Sequence, residues 1–282
     1  MSDLPKRVTI DEEGPREGFQ SEKKAIPVSE KVRLIEALAE TGLKRIACVS
    51  YVNPKRVPTM ADAEEVAAAI RQKPGVEYAA LWLNQQGLER ALRGPMHVDG
   101  GVRVTASDTF SRKNIGKSVP DAMVEQRMSL KTFKDRGMPV EWGTILGAFG
   151  CNYEGELSTE LILQRVQSVL DEAELAEFKL KGVKLTDAMG WATPASVYRL
   201  IGAIRNKWPD LEVSLPLHDT RGTGMAAAFV AMNQTYGPVF GVSLAEAATP
   251  DMANERAKKL SGQFIMDMHT HFLRDDTRIQ SF

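Results

Sequence analysis

The sequence predicts an α/β protein, and within that class a single closed TIM-type (β/α)8 barrel spanning residues 1–282. Three observations carry that expectation. Apolar, β-branched runs alternate with helical patterns from one end of the chain to the other. The connections are short, and no linker, low-complexity tract or internal repeat interrupts them. Eight strand–helix units fill the 282 residues, close to the ~250 typical of one such barrel. An open doubly wound sheet would carry G-x-G-x-x-G after its first strand, and this chain does not.

In order, residues 8–12 read as the first strand, ending at Gly14-Pro15-Arg16-Glu17-Gly18. A helix capped by Ser29 follows, with Val32, Ile35, Leu38 and Ala39 on one face and Gly42 closing it. Residues 45–52 and 76–83 are strands, each followed by a helix, at 61–72 and around 88–92. Residues 102–107 make the fourth strand, and its helix runs from Val119-Pro120-Asp121, proline suiting the first turn, to Gly137. The second half repeats the rhythm: strands at 140–146, 182–186, 211–217 and 239–247, helices at 159–176, 194–208, 225–236 and from 252 to about 273.

Composition bounds the function. The chain is 43% hydrophobic with a net charge of −1, so no global field favours nucleic acid or an anionic membrane. Its longest apolar runs fall short of the ~18 residues of a membrane span. Two cysteines, Cys48 and Cys151, imply no disulfide framework. The expectation is a cytoplasmic enzyme acting on a small molecule, with neither nucleic acid nor membrane as partner.

In a barrel, chemistry gathers where strands end and loops begin. Those positions hold Glu12, Arg16, Glu17 and Gln20 after strand one, Ser107 and Asp108 after strand four, and Cys151, Asn152 and Glu154 after strand five. They hold Asp187 after strand six, and His218, Asp219 and Arg221 after strand seven. A histidine delivered by a rigid strand suits a metal ligand or an acid/base. Arg16, between Gly14 and Gly18, offers a guanidinium to a substrate oxygen, or else forms an ion pair with Glu12 or Glu17. Asp219 reads equally as a helix cap, Asp187 as a turn former and Cys151 as a buried small residue.

These segments also resemble a known family. Gly14-Pro15-Arg16-Glu17-Gly18-Phe19-Gln20-Ser21-Glu22-Lys23 is similar to the GPRDGLQNEK motif of 3-hydroxy-3-methylglutaryl-CoA lyases, members of the DRE-TIM metallolyases. The likeness continues through Ser50-Tyr51-Val52-Asn53-Pro54-Lys55, Ala106-Ser107-Asp108-Thr109-Phe110-Ser111-Arg112-Lys113-Asn114, Gly150-Cys151-Asn152-Tyr153-Glu154-Gly155, Asp187-Ala188-Met189-Gly190 and His218-Asp219-Thr220-Arg221-Gly222. The resemblance implies a TIM barrel with a divalent cation, Mg or Mn, at its C-terminal rim. It also implies retro-Claisen cleavage of a 3-hydroxyacyl-CoA, and a homo-oligomer. It assigns catalysis to Arg16, Asp187, His218 and Glu12, and metal binding to Glu17, His218 and Asn254. Substrate binding falls to Gln20, Ser111, Lys113 and Asn114.

Four departures stand out. The family's aspartate ligand is Glu17 here, and its strand-two glutamate is Ala47. The first histidine of its H-x-H pair is Pro216, so one imidazole remains on the inward face. The Gly-Gly-Cys-Pro loop after strand eight is replaced by Glu246-Ala247-Ala248-Thr249-Pro250. These changes point to a substrate differing from 3-hydroxy-3-methylglutaryl-CoA. They also keep two alternatives in play: condensing or thioester-hydrolysing chemistry on the same barrel, and a non-catalytic binding homologue.

Overall fold

The computed structural model describes residues 10–220, 222–224, 226–228 and 230–231. Contacts group the chain into two compact units, one of Pro5–Gly100 with Glu125–Val140, the other of Met1–Leu4, Gly101–Val124 and Glu141–Phe282.

The first unit is built on a parallel sheet of β1 (Asp11–Glu12), β2 (Arg45–Tyr51) and β3 (Glu77–Trp82), in that order. Its register pairs Asp11 with Arg45 and Arg45 with Glu77, with a bulge between Ala47 and Val49. β2 reads RIACVSY and is buried over all but its first residue. A strand covered on both faces shows just such a continuous run rather than alternation. Around the sheet lie α1 (Gly14–Ser21), α2 (Val28–Ala39), a 3₁₀ turn at Pro58–Met60, α3 (Ala63–Ala69) and α4 (Gln85–Ala91). Trp82, fully buried, donates its indole N–H to the Asp99 carbonyl at 3.0 Å and meets Phe133 at 5.5 Å between ring centroids. Lys31 is only 2% exposed, yet satisfied: its ammonium reaches Asp62 at 2.7 Å and the Thr59 carbonyl at 2.6 Å. A buried charge persists only on such terms.

The second unit carries a sheet in the order β4 (Gly100–Thr105), β5 (Val140–Leu146), β8 (Gly182–Thr186), β9 (Glu212–Ser214), the last three parallel. Its helices are α5 (Asp108–Ile115), the first turns of α6 (Val119–Asp135, of which the first unit holds the part from Glu125 on), α7 (Thr159–Leu175) and α8 (Pro194–Lys207), with a small hairpin of β6 (Gly150–Cys151) and β7 (Gly155–Glu156). Each helix start is chemically explicit. Ser107, Ser158 and Thr193 accept the N–H of Phe110, Leu161 and Ser196, and Ser196 returns the bond as a capping box. Gly224, Ala226–Ala228, Val230 and Ala231 open a further helix.

Seven of the eight expected strands are present among the described residues, two of them with the expected bounds. The eighth, at 239–247, and the last helix from 252 lie outside the described residues, as do residues 8 and 9 and Arg221. Three expectations are corrected. Residues 14–18 are not loop but the first turns of α1, where Pro15 occupies a position with no amide proton to lose. Ser29 caps nothing; α2 begins one residue before it, with Pro27 as N-cap. Residues 108–115 form the helix α5.

Candidate active site

In the first unit the site residues sit on and before α1. The Glu12 carboxylate accepts the Gly14 N–H at 2.5 Å, folding over the helix start where a negative charge is favoured. A Cβ on residue 14 would lie 2.6 Å from that oxygen, so a larger residue there would push the Glu12 carboxylate aside. Arg16 is largely buried, with its side chain 14% exposed, and lies between two carboxylates. Its Nε donates to Glu13 at 2.7 Å, Nη2 bonds the same carboxylate, and Nη1 pairs with Glu17 at 2.6 Å. The ion-pair alternative is thus realised with Glu17, and Glu13 takes the place expected of Glu12. Of the guanidinium's five N–H groups these contacts use three, leaving two. Gln20, half-buried, anchors the helix end by accepting the Thr59 hydroxyl at its carbonyl, 3.4 Å. Ala47, at the family's glutamate position, is buried and paired with Ala79.

In the second unit four strand ends interlock. Asp187 follows β8, is 1% exposed, and donates its backbone N–H to the Pro216 carbonyl at 2.9 Å. That bond carries the β8–β9 ladder onward and places the two strand ends side by side. The Asp187 carboxylate accepts the Trp191 N–H at 2.6 Å, which fixes its orientation and closes the turn at Gly190, where φ is +67°. Beyond β9, burial alternates: Leu215 and Leu217 are buried, whereas Ser214, Pro216 and His218 are half-buried on the other face. The Nδ1 of His218 is itself buried, so the ring's exposure belongs to the rest of the imidazole. Asp219 is a cap: its carboxylate accepts the Gly224 N–H at 2.6 Å, the bland reading of that residue.

The loop after β5 locks against the start of α5. Glu154 accepts the Thr109 N–H at 3.0 Å, and hydrogen bonds from the side chains of Thr109 and then Ser107 hold its carboxyl below the usual range. Cys151 is buried with its Sγ 3.5 Å from the Ser107 hydroxyl, a packed small residue rather than an exposed nucleophile. Trp191 donates its indole N–H to Asn152 at 2.8 Å, joining this loop to the one after β8. Ser111 is fully buried, and its hydroxyl has no hydrogen-bond partner among the described residues, while Lys113 and Asn114 are exposed on the last turn of α5. Sequence reasoning missed Thr109, Trp191 and Arg165. Arg165 donates to the Ala106 carbonyl at 3.1 Å, and burial lowers its pKa against the opposing charges of Asp108 and Glu154.

A divalent cation of the kind the resemblance implies calls for oxygen and nitrogen donors. Glu17 offers a carboxylate and His218 an imidazole held by its buried Nδ1 edge, a donor chemistry that suits Mg or Mn. Each is a single donor on its own unit, and Pro216, where the family has a further imidazole, has no donor atom in its side chain. Asn254 lies outside the described residues.

Comparison with known proteins identifies the family. The HMGL-like family model matches residues 7–242. Hydroxymethylglutaryl-CoA lyase YngG of Bacillus subtilis is 38% identical over 231 residues, which is 81% of this chain and 74% of that protein. The 3-hydroxy-3-isohexenylglutaryl-CoA/hydroxymethylglutaryl-CoA lyase of Pseudomonas aeruginosa is 34% identical over 259 residues, 89% of this chain and 84% of its own. Among solved structures, the HMG-CoA lyase of Bacillus subtilis matches with a TM-score of 0.71 at 35% identity, covering 84% of this chain and 76% of that one. An Acinetobacter baumannii HMG-CoA lyase, solved with coenzyme A and 3-methylmalate, matches with a TM-score of 0.68 at 26% identity, covering 82% and 72%. The fold class is therefore the TIM barrel of these lyases, whose family generally depends on a divalent metal. From its motifs, its strand-end residues and a match over most of its length, the chain belongs to the HMGL-like family.

Proposed function

We propose that this protein, one barrel domain over residues 1–282, is a cytoplasmic carbon–carbon lyase. It cleaves a 3-hydroxyacyl-CoA of the 3-hydroxy-3-methylglutaryl-CoA type to an acyl-CoA such as acetyl-CoA and a carbonyl product. The observation that carries this reading is the family match over residues 7–242, supported by Asp187 and the strand leading to His218 lying side by side.

The reaction removes the proton of the 3-hydroxyl and breaks the C2–C3 bond. The bonding pair moves to C2 and the thioester oxygen as an enolate, which then takes a proton at C2. Arg16 meets the growing negative charge with the two N–H groups that Glu13 and Glu17 leave over, a preorganised donor in a partly buried setting. Asp187, oriented by the Trp191 N–H, handles the hydroxyl proton, and His218 takes that role where it holds no cation. Glu12 supports the start of α1, from which Arg16 projects. Glu17, His218 and Asn254 would hold Mg or Mn, which supplies a Lewis acid for the hydroxyl and carbonyl oxygens when bound. Gln20, Ser111, Lys113 and Asn114 take the coenzyme A side, Lys113 as an exposed cation suited to phosphate. The active form is a homo-oligomer.

Pro216 favours a second reading, in which the barrel condenses or hydrolyses thioesters instead. Incubation with a small panel of 3-hydroxyacyl-CoAs, with and without added Mg or Mn, separates the two. The proposal expects acetyl-CoA and a ketone or keto acid in equal amounts, increased by the metal. Free coenzyme A without carbon–carbon cleavage would favour the second reading.

A further inference from the structure

The sheet of the second unit has two unlike faces. Gly143 of β5 backs onto α7, where a Cβ would meet Val169 at 2.7 Å, and Ile145, Val183 and Leu185 are buried on that same face. The opposite face carries Trp142, Thr144 and Leu146 from β5, Lys184 and Thr186 from β8, and Ser214 from β9, all half-buried. The register puts Thr144, Lys184 and Ser214 side by side, since Thr144 pairs with Lys184 and Lys184 with Ser214. Pro216 and His218 continue this face along the chain.

Beside Arg103 of β4, itself half-buried in the same sheet, Lys184 is the full positive charge that β8 gives this face. Its ammonium lies 5.7 Å from the centroid of the Trp142 ring, and no carboxylate of the described residues pairs with it. Lys181, three residues earlier, shows the ordinary alternative: it pairs with Glu141 at 2.6 Å. An ammonium half removed from water gains something from an indole face, but a ring does not replace an anion. Thr144, Thr186 and Ser214 beside it supply hydroxyls rather than charge. Among the described residues no negative group meets this ammonium, and an acid carried by a ligand would supply one.

We infer that Lys184 is a specificity-determining residue that receives the free carboxylate of the acyl substrate. The inference rests on the lyase reading, which puts a 3-hydroxyglutaryl-type acyl group at this rim. Such a group carries the thioester at one end and a carboxylate at the other, with the reacting carbon between them. Four residues of strand separate the level of Lys184 from that of His218, about 13 Å at ~3.3 Å per residue. The flexible four-carbon stem of the lysine, swung from Trp142 toward Thr186, covers a good part of that distance. The carboxylate arm of the substrate covers the rest, which leaves the hydroxyl at the level of His218 and Asp187.

Steady-state kinetics on two substrates test this. The first is 3-hydroxy-3-methylglutaryl-CoA. The second is 3-hydroxy-3-methylbutyryl-CoA, which has the same reacting atoms and a methyl in place of the carboxylate arm. The wild type is expected to prefer the acid, and Lys184→Gln to raise its KM about tenfold or more with kcat little changed, narrowing the preference by the same factor. Lys184→Met, which keeps the stem against Trp142, must show the same loss, and Lys184→Arg must keep the preference. An unchanged preference in folded Lys184→Gln or Lys184→Met overturns the inference. If the wild type cleaves neither thioester, the lyase reading fails on its own. Titration calorimetry with free 3-hydroxy-3-methylglutarate then decides the role of Lys184. Binding lost in the Lys184→Gln variant upholds it; equal binding, or none by the wild type, overturns it.

Discussion

Pro216 occupies the position where the family's first metal-binding imidazole stands, and the structure shows what replacing it would involve. Its carbonyl accepts the Asp187 N–H, a bond that any residue at 216 can make. Its side chain shares a face with His218, half-buried like it. Pro216→His therefore adds a second imidazole to the first without removing the ladder bond. The metal concentration giving half-maximal activity should fall by about tenfold or more, as expected for a restored ligand. An unchanged metal requirement would mean that residue 216 does not face the cation. For Arg16 the sequence left electrophile and ion pair open, and the structure shows the ion pair, with Glu17 and with Glu13.

At the scale of elements, the start of α5 and the loop after β5 stabilise one another. Ser107 caps the helix through the Phe110 N–H and lies against the Cys151 thiol, while Glu154 reaches across to the Thr109 N–H. Ser107→Ala removes the cap and should cost about 1 kcal/mol or somewhat more, measured by urea unfolding. The pH dependence follows from the same contacts. The Glu154 carboxyl is held below its usual range by Thr109 and then Ser107, and Asp108 by the Val119 N–H and then Arg112. A depressed folded pKa contributes stability above the unfolded value, lost as pH falls through the folded one. Stability should therefore drop below about pH 4, and Glu154→Gln should flatten part of that drop. An acid limb identical in the variant would contradict the assignment. The helices α1 and α5 were hidden from sequence reading for a physical reason: α1 buries only Pro15 and Phe19, and α5 only Phe110 and Ser111. Neither carries the apolar period that reveals a helix. Their caps and carboxylate contacts hold them instead.

Across the whole molecule, the strands were the most legible feature. β5 and β8 have the bounds the sequence suggests, because their buried apolar residues recur along each strand and stop sharply at Gly147 and Asp187. Placement at the rim was legible where a strand end met a motif, as at Asp187, whose N–H bonds the stretch leading to His218. It was not legible at Trp191 and Lys184, since an indole donor closing two loops and a lysine within a strand look like ordinary surface residues in one dimension. The account as a whole stands on retro-Claisen cleavage at this rim, and product release from 3-hydroxy-3-methylglutaryl-CoA in the presence of Mg or Mn tests it most directly. The wild type should release acetyl-CoA and acetoacetate one to one. Arg16→Ala and His218→Ala should each lower kcat by about a hundredfold or more while the fold persists. Release unchanged in both variants, or absent from the metal-loaded wild type, would contradict it.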